Sequence, residues 1–158
     1  MADGGGDGGG RGPRRVEDGE FAGWWTWSGV DPFEDVVGPF FSKKIDGEVV
    51  CAFRAEPRHM NGGGSMHGGC MMSFADFALF SLASKELGRA PAVTVSLNGE
   101  FLGPARPGER IEARGGVVQA GRSLIFVRGM LTAEGRPMLS FSGVIKRVRR
   151  DPPPAAES

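Results

Sequence analysis

The chain reads as an α+β protein in which a curled antiparallel sheet wraps around one long central helix, and two features of the sequence predict this. Residues 67–85 (HGGCMMSFADFALFSLASK) carry apolar side chains at helical spacing on nearly every face, so a helix there must be enclosed. After Pro91 the pattern becomes strand-like and stays so to residue 148, broken by turn pairs at Pro107-Gly108, Ala120-Gly121 and Glu134-Gly135. One apolar helix followed by a long meander leaves the sheet to cover it.

Residues 1–20 (MADGGGDGGGRGPRRVEDGE) are glycine-rich and nearly without apolar groups, so little burial offsets the entropy of ordering them. A disordered tail is expected, whose removal leaves stability and turnover unchanged, with the domain spanning residues 21–148. Trp24, Trp25 and Trp27 open that domain. Rings of this size are expected to clamp the N-terminal segment onto the fold, contact with a lipid or acyl group being the lesser reading. Residues 36–41, with turn signals at Gly38 and Pro39, lead as a short helix or turn to the first strand. That strand lies within residues 45–55, where Asp46-Gly47 is a turn and Val49, Cys51 and Phe53 alternate with Val50, Ala52 and Arg54.

Leu87-Gly88 supplies the glycine stop expected past the last turn of the helix. Four strands follow, at residues 92–102, 110–119, 122–132 and 138–148, and the short turns make the last three antiparallel neighbours. Residues 149–158 end in DPPPAAES, which cannot continue a central strand, and are expected to be a flexible tail.

A length of 158 residues predicts a single domain with a proper core. Nineteen basic and nineteen acidic residues cancel, which argues against broad nucleic-acid binding, since that needs a basic field to displace counterions. Two cysteines are too few for a disulfide framework, and the first residues lack the apolar core of a signal peptide. A cytoplasmic, reduced protein is expected. No apolar run approaches the ~20 residues that span a bilayer, so no membrane association is expected.

The chemistry concentrates in residues 59–85 (HMNGGGSMHGGCMMSFADFALFSLASK). Between His67 and Lys85 the only charged residue is Asp76, and an ionised group in apolar surroundings is costly unless paired, hydrogen-bonded or wet. Gly68 and Gly69 stand at the helix start, where free N–H groups can stabilise negative charge developing on an oxygen. Each residue also has an ordinary reading. Asp76 can be a structural acid, Asn61 a turn residue, His67 a helix cap, His59 a packed loop residue and Thr94 a β-branched strand residue. Cys51, His59, His67 and Cys70 lack the paired spacing of a tetrahedral site, so no metal is expected, nor any other cofactor. The glycine run lacks the Lys-Ser/Thr of a phosphate loop, and Ser65 and Ser73 lack a nucleophile elbow.

His59-Met60-Asn61, then Ser65-Met66-His67-Gly68-Gly69, then Phe74-Ala75-Asp76 resembles the signature of hotdog-fold acyl-CoA thioesterases of the PaaI-like, phenylacetic-acid-degradation type. DPFEDVVGPFF before it, AVTVSLNGEFLGPARPGERIEARG after it and the GRSLIFVRGML hairpin are also similar, so the likeness covers residues 31–148. The resemblance implies a homodimer or dimer of dimers, central helices side by side and the site at the subunit interface. It implies that the Gly68 N–H and the Asn61 side chain polarise the thioester carbonyl, with His67 and Gly69 beside them. Asp76, supplied by the partner subunit, would be general base for a water or attack directly to give a mixed anhydride, and Thr94 would orient water or carboxylate.

The CoA phosphates of such a substrate call for cations at the rim, for which Arg122 and the cluster Lys146, Arg147, Arg149 and Arg150 are candidates; solvated strand ends are the ordinary account. Two functions therefore stand: hydrolysis of a medium-chain, long-chain or aryl acyl-CoA, or retention of an acyl-CoA or other apolar ligand without turnover. Hydration or dehydration of an acyl chain is less favoured, because the Asp/His arrangement of hydratases is absent.

Overall fold

The computed structural model describes residues 12–149. The helix predicted from apolar spacing is α2 (Gly68–Leu82). His67 caps it, its Nδ1 accepting the Gly69 N–H at 2.8 Å and so satisfying a first-turn donor that no preceding carbonyl reaches. A short α3 (Ser84–Leu87) continues the path and ends at Gly88, whose φ of 58° lies in the region that favours glycine. Cys70, Met71, Phe74, Ala75, Phe77, Ala78, Leu79 and Leu82 are buried. Complete enclosure is corrected by one stripe, Met72, Ser73, Asp76 and Phe80, which the single chain leaves half-buried.

The four late strands are β5 (Ala92–Phe101), β6 (Arg110–Ala120), β7 (Leu124–Ala133) and β8 (Arg136–Arg147), close to the predicted bounds. Before them come β1 (Arg14–Arg15), β2 (Trp25–Thr26), β3 (Phe41–Ile45) and β4 (Glu48–Arg54). All eight form one sheet in the order β1-β2-β3-β4-β6-β7-β8-β5, antiparallel at every pairing. The sheet curls over α2, and side chains from β4, β6, β7 and β8 meet the helix in one core. Close approach is possible because Gly143 faces the helix, where a Cβ would collide with Leu79. β5 returns to the far side of β8 and is a sheet edge, with Val93 and Val95 exposed.

The opening of the sheet differs from expectation. It is a hairpin, with β3 pairing β4 across Asp46 and Gly47, whose φ values of 50° and 87° are those of a two-residue turn. β3, FSKKI, puts two lysines in succession and offers no alternation to read. On β4, Cys51 and Phe53 face the helix, while Val50 and Ala52 pack against Phe21 and Trp24. The predicted aromatic clamp is thus Phe21, stacked on Phe41 at 4.2 Å, and Trp24; Trp25 and Trp27 remain exposed.

The predicted N-terminal tail needs correction where it is described. Arg14 and Arg15 pair with Thr26 and Trp25, and Glu20 forms ion pairs with Arg54 and Arg110. Charge pairing and two rungs of strand hold what apolar burial alone would not. A chain starting at Phe21 is therefore expected to melt about 2–4 °C lower than the full chain, from the loss of roughly 1 kcal/mol, in thermal scans at equal concentration. The rest of the two expected tails, residues 1–11 and 150–158, lies outside the described residues. No helix among the described residues is long and apolar enough to cross a membrane.

Candidate active site

Asp76 lies on the half-buried stripe of α2, and its Oδ1 accepts a hydrogen bond from Thr94 Oγ1 at 2.6 Å. The carboxylate is thus held by a hydroxyl and not locked to backbone amides, which leaves its other oxygen to act. Thr94 reaches it because of an irregularity in β5. Thr94 pairs opposite Ile145 and Ser96 opposite Val144, so Val95 is an extra residue that reverses the alternation between them. Thr94 consequently shares the inner face with buried Ile145, whereas Ser96 turns outward with Val144. A shallow depression of the outer face, lined by Ser96, Asn98, Val118, Phe126 and Val144, holds none of the residues predicted for the site.

The glycine loop is closed by a bridge between Met60 and Met66, so Asn61 and His67 leave from neighbouring points. Asn61 Oδ1 accepts from the Gly63 N–H at 2.8 Å and the Ser65 N–H at 3.3 Å. Its turn role is real, and it fixes the carboxamide with the oxygen inward and the NH2 group available to an acceptor. His67 takes the capping role, and the Nδ1 lone pair given to Gly69 puts the proton of the neutral ring on Nε2. The Gly69 N–H is therefore spent. The Gly68 N–H is a first-turn donor with no carbonyl one turn back inside the helix, and Phe101 packs beside it, 3.2 Å from where a Cβ on Gly68 would stand. His59 is structural: it is buried, accepts the Glu56 N–H on Nδ1 at 3.0 Å, and burial lowers its pKa.

At the basic rim, Arg147 is not at the disposal of a ligand. It donates to the carbonyls of Gly121, Arg122 and Glu86 at 2.6, 3.2 and 2.7 Å, tying the end of β8 to the β6–β7 turn and to α3. Arg122 and Lys146 are exposed, and Lys146 pairs opposite Val93, the residue before Thr94, so the cations and Asp76 share one end of the sheet. Arg150 lies outside the described residues.

One group at this site was not singled out from sequence. Glu34, on α1 (Pro32–Val37), has a buried Oε2 without a hydrogen-bond partner among the described residues. Burial, followed by the carboxylates of Asp31, Asp76 and Asp35, pushes it up to about 7. Three acids stand within five residues in DPFED, and nothing in their spacing distinguishes the one turned inward.

The thioesterase superfamily matches residues 63–139. A Pseudomonas aeruginosa protein named as an esterase is 35% identical over 115 residues, 72% of this chain and 86% of that protein. Human acyl-coenzyme A thioesterase 13 is 32% identical over 114 residues, 66% of this chain and 81% of that protein. The solved phenylacetic acid degradation protein PaaI of Thermus thermophilus has 29% identity and a TM-score of 0.64, covering 75% of this chain and 100% of that one. An antiparallel sheet curled over one long helix, these relatives and the aligned superfamily together place the chain: it belongs to the thioesterase superfamily, as a hotdog-fold thioester hydrolase of the PaaI-like type.

Proposed function

We propose that the protein hydrolyses the thioester of a medium-chain, long-chain or aryl acyl-CoA, at a site completed by two copies of the chain. The observation that carries the reading is Asp76, placed on an open stripe of α2 and steadied by Thr94. Asp76 takes a proton from water as the water attacks the carbonyl carbon, or attacks that carbon itself to give a mixed anhydride. The oxyanion that develops is met by the Gly68 N–H and Asn61 Nδ2, and the thiolate of CoA leaves. Phe101 beside Gly68 favours an apolar acyl group, and Arg122 and Lys146 suit the phosphates.

Helix geometry supports the shared site. Gly68 and Asp76 lie eight residues apart on α2, about 12 Å at the usual rise, too far for both to serve one thioester. A second copy with its helix alongside brings one chain's Asp76 to the other's Gly68 and Asn61. The same arrangement covers the open stripe, and the unpaired edge of β5, with Val93 and Val95 exposed, can pair with its counterpart. The purified protein, given a panel of acyl-CoAs with a thiol reagent, is expected to release CoA; retention of acyl-CoA without release on every chain length contradicts hydrolysis. Full activity in a monomer contradicts the shared site.

Thr94→Val keeps the shape of the strand residue and removes the donor to Asp76. It is expected to lower kcat about 10-fold with KM nearly unchanged, and Thr94→Ser to restore most of the loss, in the same assay.

A further inference from the structure

β5 runs along α2 in the opposite direction, and three contacts mark its course. Thr94 Oγ1 meets the Asp76 carboxylate at 2.6 Å, and Gly99 passes so close to Met72 that a Cβ there would stand 3.0 Å from its Sδ. Two ring carbons of Phe101 then reach 3.2 Å from where a Cβ on Gly68 would stand. Beyond the extra residue at Val95, Leu97 packs on the core, and Gly99 and Phe101 follow on the same face, so the alternation of the strand itself delivers the ring to the helix start. Phe101 is nonetheless 56% exposed in the single chain, a large apolar group left open beside the N–H that meets the oxyanion. Bond lengths put its edge no more than about 6 Å from the Gly68 nitrogen. A carbonyl oxygen accepting from that nitrogen stands about 3 Å away, which brings the carbons attached to the carbonyl into contact range of the ring.

We propose that Phe101 is a specificity-determining residue of the hydrolysis: its ring takes up one side of the acyl α-carbon, so the protein distinguishes the two configurations of a thioester branched there. The inference rests on the roles given to Gly68, Asn61 and Asp76 above. Two donors on one carbonyl oxygen fix the plane of the thioester, and the Asn61 carboxamide is itself held by the Gly63 and Ser65 N–H groups. Asp76 brings water to one face of that plane, so the two hydrogens of an α-CH2 no longer have the same surroundings. Arg122 and Lys146, the cations suited to the phosphates, share the end of the sheet that carries Asp76 and so belong to the copy that lends the acid. CoA therefore lies toward that copy, and the acyl carbon toward Phe101. A methyl group in place of the hydrogen that points at the ring needs room already taken; in place of the other hydrogen it does not.

The test starts from whichever acyl-CoA with a CH2 next to its carbonyl the protein hydrolyses fastest, and assays the R and S enantiomers of its α-methyl derivative separately by CoA release. Enantiomers react equally with water alone, so their ratio reports contacts with the protein. In the unmodified protein one is expected to exceed the other about 10-fold in kcat/KM, the usual discrimination for one methyl group against an apolar wall. Phe101→Ala is expected to raise the slower enantiomer until the two agree within about 2-fold, while the unbranched parent stays within about 3-fold of its original value. The backbone of Phe101 pairs with Leu139 on β8, so the strand stays in place without the ring. Equal rates for the two enantiomers in the unmodified protein, or a ratio that persists in Phe101→Ala, overturn the proposal.

Should Phe101→Ala fail to fold or to associate, Phe101→Leu and Phe101→Trp carry the same test. The enantiomer ratio is expected to fall with the smaller, more flexible side chain and to rise with the larger ring, and a ratio that ignores both changes overturns the proposal. A higher KM for every thioester, with the ratio unmoved, puts the ring against CoA and also overturns it. Absence of turnover of any acyl-CoA by the unmodified protein removes the hydrolase reading and this inference together; turnover with no enantiomer preference removes only the role of Phe101.

Discussion

Asp76→Asn is expected to cut kcat about 10²–10⁴-fold, the range that loss of a positioned general base produces, with little change in KM. Asparagine has the same outline, and its carbonyl oxygen can still accept from Thr94 Oγ1, now 2.6 Å from the carboxylate, so the strand-to-helix contact survives. What disappears is the ability to take a proton or form an anhydride. The substitution also removes a negative charge acting on Glu34, so the folded chain gains rather than loses stability at alkaline pH. Slower turnover with equal or higher Tm is the combined signature, read by CoA release and by thermal melting. A folded Asp76→Asn protein that retains more than about a tenth of the activity contradicts the assignment.

Phe74→Ala is expected to cost about 3–5 kcal/mol of unfolding free energy, the usual range for emptying a packed aromatic site. Phe74 is fully buried, with the rings of Phe40 and Phe53 at 5.1 and 4.7 Å and that of Phe77 at 6.2 Å. These rings belong to the start of the sheet, to β4 and to α2, so the side chain joins the helix to its cover. Truncation removes apolar area from the core and leaves a void that elements pinned by strand pairing cannot fill by collapsing. Phe74→Leu, which refills most of the volume, is expected to recover at least roughly half the loss. Denaturant unfolding at one fixed protein concentration measures both, since association contributes to apparent stability. A loss under about 1 kcal/mol for the alanine variant means the ring is not the junction described.

The sequence was most informative where a residue's surroundings depend on its near neighbours. α2 and its glycine stop follow from spacing and from what glycine alone tolerates at Gly88, with a φ of 58°. β6, β7 and β8 follow from apolar runs cut by turn pairs, because a short turn compels antiparallel neighbours. Signals were weaker at the N-terminal edge. β1 and β2 are two residues each, and Glu20 is held by Arg54 and Arg110, partners far along the chain. No local pattern announces a pairing of that kind. The glycine loop was legible as chemistry, yet its hydrogen bonds divide the labour in a way spacing does not: Gly69 serves the His67 cap, and Gly68 is left as the donor.

From its residues alone the chain determined one largely apolar helix, a following meander and a lone acid between His67 and Lys85, because periodicity, turns and charge are written locally. Only the tertiary structure decided which side each group faces. One extra residue at Val95 sends Thr94 to Asp76 and Ser96 to the outer face of the sheet, although simple alternation puts both on one face. The packing of α1 on α2 turns Glu34 inward, one of three nearby acids in DPFED. A side chain's direction depends on what its element packs against, and that partner lies tens of residues away in the chain.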